Sequence, residues 1–98
     1  MEVEFADAEI EDMVYNANYK GKVSAQLVRA VRKLINLLIQ AANRTDLYNL
    51  RSLHLEKLKG ERKHQHSMRI NDQYRLIVEF RKKNAHEKVY IIEIGDYH

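Results

Sequence analysis

The spacing of apolar side chains along the chain changes near residue 50. Before that point, apolar residues recur every three or four positions, which is the spacing of one face of an α-helix. After it, they recur at every second position, which is the spacing of one face of a β-strand. The pattern therefore predicts that helices come first in the chain and that strands follow them.

Two helices are predicted in the first half. The first covers Ala6–Tyr19 and carries its acidic residues early, where negative charge suits the positive end of a helix dipole. The second covers Ala25–Ala42, with Ser24 as its N-cap, and its wide apolar stripe is expected to pack against a sheet. Met1–Phe5 is compatible with a short edge strand or with the lead into the first helix. Asn43–Asn49 is predicted to be a polar loop or a last irregular turn.

Three strands are predicted in the second half, at His66–Ile70, Tyr74–Phe80 and Lys88–Ile94, with Arg81–Glu87 as a charged connection. The predicted fold class is α+β, with two N-terminal helices packed on one face of a small antiparallel β-sheet. Alternation predicts these residues on the helix side of the last two strands: Tyr74, Leu76, Val78, Phe80, Tyr90, Ile92 and Ile94. It predicts these residues of the last strand on the opposite side: Val89, Ile91 and Glu93.

The first two of these strands are predicted to form a tight β-hairpin around residues 71–73, Asn-Asp-Gln, which are the turn-like stretch. With a three-residue turn, the cross-strand pairs are Ile70 with Tyr74, Arg69 with Arg75, and Met68 with Leu76. A two-residue turn would instead mix apolar and charged residues on one face. The preferred turn therefore sets two arginines opposite each other on the face away from the core. Like charges so placed destabilise a hairpin, so we expect an anionic ligand there.

Length and composition narrow the class of protein. The 98 residues suffice for one domain, which we expect to span 1–98. The chain has no cysteine, which excludes a disulfide framework and thiolate chemistry and fits a reducing compartment such as the cytoplasm. No apolar run is long enough to cross a membrane, and the acidic N-terminus does not match the basic start of a signal peptide.

Positive charge is concentrated in one part of the chain. The net charge is +3, but residues 1–50 carry six basic and seven acidic side chains, whereas residues 51–98 carry eleven basic and seven acidic ones. Residues 51–69 alone hold six basic and two acidic side chains. A basic focus of this kind is expected where a phosphate-bearing partner binds, and a solvated basic face is the alternative.

No metal site and no cofactor are predicted. His64 and His66 could share one strand face, but no third ligand is spaced to join them. The sequence also contains no glycine-rich phosphate loop and no nucleophile elbow. The remaining cations, histidines and tyrosines suit cleavage of RNA by its own 2′-hydroxyl. That reaction needs a base, cations for the charge that develops on phosphorus, and an acid for the leaving 5′-oxygen.

Cations near the predicted hairpin are the first candidates for this chemistry. Arg69 and Arg75 would clamp the scissile phosphate, because a guanidinium matches phosphate oxygens well, and Lys59 could add charge beside them. Two solvated arginines and an ordinary surface lysine are the alternative interpretation. Further candidate RNA contacts are Lys57, Arg62, Lys63 and His54, and His54 is also an acid/base candidate.

The end of the chain supplies the candidates for proton transfer. His98 could be the general acid or base, Tyr97 could stack a base or donate a proton, and Asp96 could orient His98. Gly95 is expected to let these residues bend back across the arginines. The alternatives are a frayed terminus, an aromatic lid on the core and a capped turn.

Three blocks of the sequence, in this order, resemble one known family. They are Leu58–Arg62 (LKGER), Ser67–Arg75 (SMRINDQYR) and Asp96–His98 (DYH), and they are similar to the HigB branch of the RelE/ParE toxin superfamily. The resemblance implies a RelE-like fold and a ribosome-dependent mRNA interferase, the toxin of a type II toxin–antitoxin pair. Such toxins cut mRNA in the ribosomal A site without a metal.

The resemblance also implies roles and partners. The implied phosphate-contacting cations are Lys59, Arg69 and Arg75, and the implied catalytic cluster is Asp96, Tyr97 and His98. Some members have a histidine three residues before the lysine of the Lys-Gly pair; that place is Glu56 here, so His54 would reach the site only through a bulge. The implied partner is a HigA-like helix-turn-helix antitoxin, which represses the shared operon and forms a heterotetramer with the toxin on operator DNA.

Two other functions are compatible with the same residues. A ParE-like toxin would inhibit gyrase and have no RNase activity, although such chains usually lack the Asp-Tyr-His ending. A non-catalytic nucleic-acid-binding module would use the basic surface alone and would show salt-sensitive binding without a product.

Overall fold

Helices and strands occupy separate layers of the molecule. The structure is a computed structural model that describes residues 1–96, so Tyr97 and His98 lie outside the described residues. The helices are α1 (Ala8–Tyr15), α2 (Ala25–Gln40) and α3 (Arg44–Asn49). The strands are β1 (Glu2–Phe5), β2 (Glu56–Lys57), β3 (His66–Arg69), β4 (Tyr74–Lys83) and β5 (His86–Asp96). Two short 3-10 turns, Arg51–Leu53 and Gly60–Arg62, flank β2.

Each helix begins after a residue whose side chain caps it. Asp7 accepts two hydrogen bonds from backbone N–H groups of α1, at 2.9 and 3.0 Å. The Oγ of Ser24 lies 3.1 Å from the Leu27 nitrogen, which confirms the N-cap predicted for α2. Asn43 caps α3, which is a short regular helix where a polar loop or a last irregular turn was predicted; the cap and the complete burial of Leu47 explain the helix. Within residues 1–96, none of the helices combines the length and the apolar character that crossing a membrane requires.

The helices pack on one face of the sheet, which confirms the predicted α+β arrangement. The core lies between α2 and the three central strands, because the apolar stripe of the helix and one face of each strand meet there. Core residues with no exposed surface are Val31, Leu38, Leu47, Met68, Leu76, Val78, Val89 and Ile91.

Strand β1 makes the sheet mixed, whereas the prediction was an antiparallel sheet. The order across the sheet is β1-β5-β4-β3-β2, and β1 runs parallel to β5 while the other pairs are antiparallel. Of the two alternatives for the N-terminus, the edge strand is the one observed. Val3 and Phe5 pack against the core, which explains why this segment stays beside β5 before α1 begins.

Strands β4 and β5 are longer than predicted. They pair up to Lys83 and His86 and are joined by Asn84 and Ala85, whose φ values are 52° and 68°. Positive φ at both central residues is typical of the two-residue turns that match the twist of a hairpin. The segment Arg81–Glu87, predicted to be a connection, is therefore mostly strand.

One extra residue in β5, Ile92, shifts the pairing of β5 with β4. Such a β-bulge reverses the sides to which the residues before it point, relative to those after it. Val89 and Ile91, predicted to face outward, are therefore buried in the core, and Tyr90 faces the other side. Ile94, which follows the bulge, lies on the core side as predicted.

Candidate nucleic-acid interface

Arg69 and Arg75 lie directly opposite each other on β3 and β4, in the register that the three-residue turn predicts. Asn71 builds the turn, because its side-chain oxygen accepts hydrogen bonds from the backbone nitrogens of Gln73 and Tyr74 at 2.9 and 2.7 Å. Opposed residues point to the same side of a sheet. Both arginines therefore leave the sheet on the face opposite the helices, which we call the open face.

Arg75 is held by three acceptors on the open face. Its Nε donates to the hydroxyl of Ser67 at 2.9 Å, and its Nη2 donates to the Ser67 carbonyl at 3.3 Å. Nη2 also donates to the backbone carbonyl of His54, which follows the 3-10 turn Arg51–Leu53. The guanidinium of Arg75 thus reaches across β3 toward the outer edge of the sheet.

Arg69 turns in another direction, toward the hairpin turn, where it pairs with Asp72. The Asp72 side chain is 98% exposed, so this pair is weak and a phosphate can replace the carboxylate. The two arginines bind different acceptors, which reduces their mutual repulsion. The carboxylate of Asp72 therefore supplies part of the negative charge that was expected beside the two arginines.

The basic loop, residues 58–65 between β2 and β3, folds over the same face. A backbone hydrogen bond of 2.9 Å from Leu58 to Gln65 closes it, and Gly60 adopts a φ of 71° inside it, which suits glycine. Arg62 reaches from this loop to Glu93 on β5, with which it forms an ion pair. Ile77, the β4 partner of Glu93, is fully buried although it faces away from the helices, which indicates that the loop covers it.

The other predicted RNA contacts lie in this loop or shortly before it. Lys57 lies on β2, Lys59 begins the 3-10 turn Gly60–Arg62, and Lys63 follows it, all with exposed side chains. His54 also exposes its side chain, while its left-handed backbone, with φ 47° and ψ 52°, directs its carbonyl to Arg75. In the structure, His54 is therefore linked to Arg75 through its backbone carbonyl and not through its imidazole.

Asp96 is the last described residue of β5 and lies on the helix side of the sheet. It is paired with Tyr74, and its carboxylate accepts a hydrogen bond of 3.2 Å from the side chain of Gln73. Gly95 is paired with Arg75 in regular strand geometry, so the chain does not bend at Gly95 as expected. Asp96 is consequently not brought to the side of Arg75, because neighbouring residues of a strand point to opposite faces. The predicted roles of Tyr97 and His98 fall outside the described residues.

Charges at the other end of the open face are paired with one another. Lys88 lies 3.2 Å from Glu2 and 3.3 Å from Glu4, and hydrogen bonds to these carboxylates raise the pKa of Lys88. Arg81 donates to Glu79 at 2.7 Å, and this bond raises the pKa of Arg81. The positive charge that remains to attract a phosphate is therefore concentrated near the β3–β4 turn.

His64 and His66 lie on opposite sides of the sheet. His66 is only 5% exposed, on the helix side, where its ring meets Phe80 edge-on with centroids 5.1 Å apart. Burial lowers the pKa of His66, the nearby Arg44 lowers it further, and Nδ1 has no hydrogen-bond partner in residues 1–96. His64 lies instead on the open face, 3.9 Å from Glu79. In the part of the chain that the structure describes, no three His, Asp or Glu side chains are grouped to hold a metal ion.

A large cavity of about 830 Å³ lies away from the arginine pair. It is bounded by α3 and the β4–β5 turn, and Arg44, Lys82 and His86 contribute to its lining. Arg44 is already engaged by Glu87, through an ion pair of 2.7 Å, so this cavity offers less free charge. A polynucleotide needs a cationic surface more than an enclosed cavity, and we therefore regard the open face as the candidate site.

The sequence analysis did not identify three residues of this site. Ser67 shares the strand side of Arg69, so alternation along β3 could have placed it beside Arg75. No sequence signal links Gln73 to the side chains of Tyr74 and Asp96, with which it forms hydrogen bonds of 3.1 and 3.2 Å. The Glu93 pairing depends on a contact between segments far apart in the chain, which alternation does not predict.

Solved structures of other proteins share this fold. The YoeB/ParE toxin from Agrobacterium tumefaciens matches with a TM-score of 0.65 and 16% identity, over 100% of both chains. YafQ from E. coli strain BL21(DE3) matches with a TM-score of 0.64 and 12% identity, over 97% of this chain and 91% of that one. The YoeB–YefM complex from Staphylococcus aureus matches with a TM-score of 0.53 and 21% identity, over 100% and 97% of the two chains.

The family follows from the sequence itself. No curated protein sequence gives a significant match. A family model for the "RelE-like toxin of type II toxin-antitoxin system HigB" matches residues 3–98, which include all three blocks that resemble this family. The chain therefore belongs to the HigB-like family of RelE-like toxins from type II toxin–antitoxin systems.

Proposed function

We propose that this toxin is an endoribonuclease that cuts mRNA on the ribosome. The observation that carries the proposal is the cross-strand pair of Arg69 and Arg75 on the open face. Two guanidinium groups on one small surface are suited to bind the non-bridging oxygens of a single phosphate. The paired charges elsewhere on that face and the family membership support the same site.

In the proposed reaction, the 2′-oxygen of one nucleotide attacks the adjacent phosphorus and the bond from phosphorus to the 5′-oxygen breaks. A base removes the 2′ proton, an acid protonates the leaving oxygen, and the products are a 2′,3′-cyclic phosphate and a 5′-hydroxyl end. Arg69, Arg75 and Lys59 would stabilise the charge that develops on the phosphate oxygens. The RNA supplies the nucleophile, so the scheme requires neither a metal ion nor a cofactor.

The end of the chain is proposed to carry out the proton transfers. His98 suits the role of acid or base because imidazole titrates near neutral pH, and Tyr97 and Asp96 complete the proposed cluster. This assignment rests on the sequence resemblance alone.

The basic loop is proposed to guide the mRNA. Lys63 in this loop, and Lys57 and His54 before it, expose their side chains and can contact successive phosphates or bases. Arg62 is engaged by Glu93, but both side chains are about half exposed. An exposed pair contributes little stability, so a phosphate can take the place of the carboxylate.

We further propose that the toxin acts in the cytoplasm on mRNA in the ribosomal A site. A HigA-like helix-turn-helix antitoxin would neutralise it and would carry the pair, as a heterotetramer, to operator DNA. The S. aureus YoeB structure with the same fold was solved as a complex with YefM, which supports a protein partner for this chain.

A translation extract supplied with a defined message tests the proposed activity. The wild-type protein should cut the message within codons being translated, and Arg75→Ala should cut at least about a hundredfold more slowly. His98→Ala tests the proposed proton transfer in the same assay. Arg81→Ala is the matched control, because it removes an arginine from the same strand and face whose charge is already paired with Glu79.

Undiminished cleavage by both Arg75→Ala and His98→Ala would rule out the proposed site. A supercoiling assay addresses the ParE-like alternative, since inhibition of gyrase with intact message would replace this proposal. Salt-sensitive RNA binding without any product would indicate a binding module instead.

A further inference from the structure

Ser67 is the residue most closely joined to Arg75. It is buried, with 2% of its surface exposed, and it lies on β3 opposite Ile77, which is fully buried. An apolar residue would suit such a position, because a buried hydroxyl is costly unless it has a partner. Arg75 is that partner, since its Nε donates to the Ser67 hydroxyl at 2.9 Å.

The contacts of Arg75 leave a defined part of the guanidinium for a ligand. Nε is bound by Ser67, and Nη2 is bound by the carbonyls of Ser67 and His54. Nη1 has no hydrogen-bond partner in the range 1–96. The N–H groups of a guanidinium lie in one rigid plane, so acceptors that fix one side of it also fix the direction of the other side.

We infer that Ser67 is a positioning residue for the RNA cleavage proposed above, and this inference rests on that proposed function. Ser67 does not contact RNA in this scheme. It holds the guanidinium of Arg75 so that Nη1 faces the phosphate as negative charge develops there. The His54 carbonyl supports the same orientation, because it accepts a hydrogen bond from Nη2, which the Ser67 carbonyl also binds.

Ser67→Ala tests this role, because it removes the acceptor without adding bulk to the buried site. In the translation extract, the maximal rate of cleavage should fall about tenfold, while the toxin concentration that gives half-maximal rate changes little. In an Arg75→Ala background, the same substitution should have no further effect, because its target is absent.

Ser24→Ala is the matched control. It also removes a serine hydroxyl that accepts one hydrogen bond, 3.1 Å from the Leu27 nitrogen, but at the start of α2. It should lower the stability of the protein, as loss of an N-cap does, and leave the cleavage rate per folded molecule unchanged.

A second measurement needs no RNA. The Nε–H resonance of Arg75, assigned by its absence in Arg75→Lys, should exchange slowly with solvent in the wild type and rapidly in Ser67→Ala. Unchanged exchange in Ser67→Ala, or a loss of cleavage that adds to that of Arg75→Ala, would overturn the positioning role even if the wild type cuts mRNA. If the wild type leaves mRNA intact, the proposed function fails, and the exchange rates alone decide whether Ser67 orders Arg75.

Discussion

Arg62 in the basic loop is paired with Glu93 on β5, although the two residues lie 31 positions apart in the chain. The pair joins the loop to the open face of the sheet, where Glu93 is paired with the buried Ile77 of β4. It also neutralises one of the cations proposed to bind RNA. Glu93 thus reduces the positive charge of the open face.

Replacing Glu93 should therefore strengthen RNA binding. In Glu93→Gln, Arg62 is free to bind phosphate, so we expect a two- to threefold lower Kd for a single-stranded RNA whose 2′-oxygens are blocked, and a steeper dependence on salt. Fluorescence anisotropy at several salt concentrations measures both. Glu11→Gln, on the exposed side of α1, makes the same change in net charge and should leave the salt dependence nearly unaltered. Equal effects of both variants would contradict a local role for the pair.

We expect Arg75→Lys to destabilise the protein more than Arg69→Lys does. Arg75→Lys leaves up to three acceptors without their donors at a partly buried site, and we expect a loss of about 1–2 kcal/mol in the free energy of unfolding. Arg69→Lys keeps a charge beside the exposed Asp72 and should cost less than about 0.5 kcal/mol. Urea unfolding of both variants measures the difference. The reverse order would show that the acceptors around Arg75 do not hold it in solution.

The burial of His66 should make the protein less stable in mild acid. Burial and Arg44 lower the pKa of His66 in the folded state below its ordinary value of 6.5. Between the folded-state pKa and 6.5, the unfolded chain therefore binds a proton at His66 more readily than the folded chain does. Stability should be fully present above pH 6.5 and should decline as the pH falls toward the folded-state pKa.

Urea unfolding between pH 7.5 and 5 measures this decline. His66→Leu, which keeps the site apolar, should flatten the pH dependence in this range, whereas His64→Leu at an exposed site should not. A decline of the same size in His66→Leu as in the wild type would assign it to other groups.

Arg44 and Glu87 form a second acid-sensitive contact, between α3 and β5. Burial acts to raise the pKa of Glu87, but hydrogen bonds from the Arg44 side chain and backbone outweigh it, so the pKa lies below its ordinary 4.5. The stability that this pair supplies is therefore present above pH 4.5 and lost as the pH falls below it.

Arg44→Ala keeps the backbone hydrogen bond to Glu87 but leaves this carboxylate, which is only 7% exposed, without its charged partner. We expect a loss of about 2 kcal/mol at pH 7, less than for a fully buried pair because Arg44 itself is partly exposed. The difference from the wild type should shrink near pH 4, where Glu87 becomes protonated in the variant. Arg81→Ala, at an exposed pair, should change stability by less than about 0.5 kcal/mol at either pH.

Alternation of apolar residues was sufficient to predict the β3–β4 register, because a shift by one residue would have mixed apolar and charged residues on one face. The same rule failed for Val89 and Ile91, since the extra residue Ile92 leaves no local mark in an apolar strand. The third helix was predicted only as a polar loop or a last irregular turn, because its polar sequence hides a single buried residue, Leu47.

The site was only partly predictable for a related reason. Sequence patterns place side chains on a face, but the acceptors of Arg75 include two backbone carbonyls, which no side-chain pattern reveals. The position of His54 depends on its left-handed backbone after a 3-10 turn, which is a departure from regular strand geometry. Three-dimensional contacts were therefore required to recognise His54 as a neighbour of Arg75.

The position of β5 between β1 and β4 has a consequence for the order of events during synthesis. β1 has no neighbour in the sheet until residues 86–96 have left the ribosome, and contacts such as that of Glu4 with Lys88 join segments 84 positions apart. Pairing over such distances is late in folding. The β1–β5 pairing, and with it the complete five-stranded sheet, would thus form only after the segment of β5 has been synthesised.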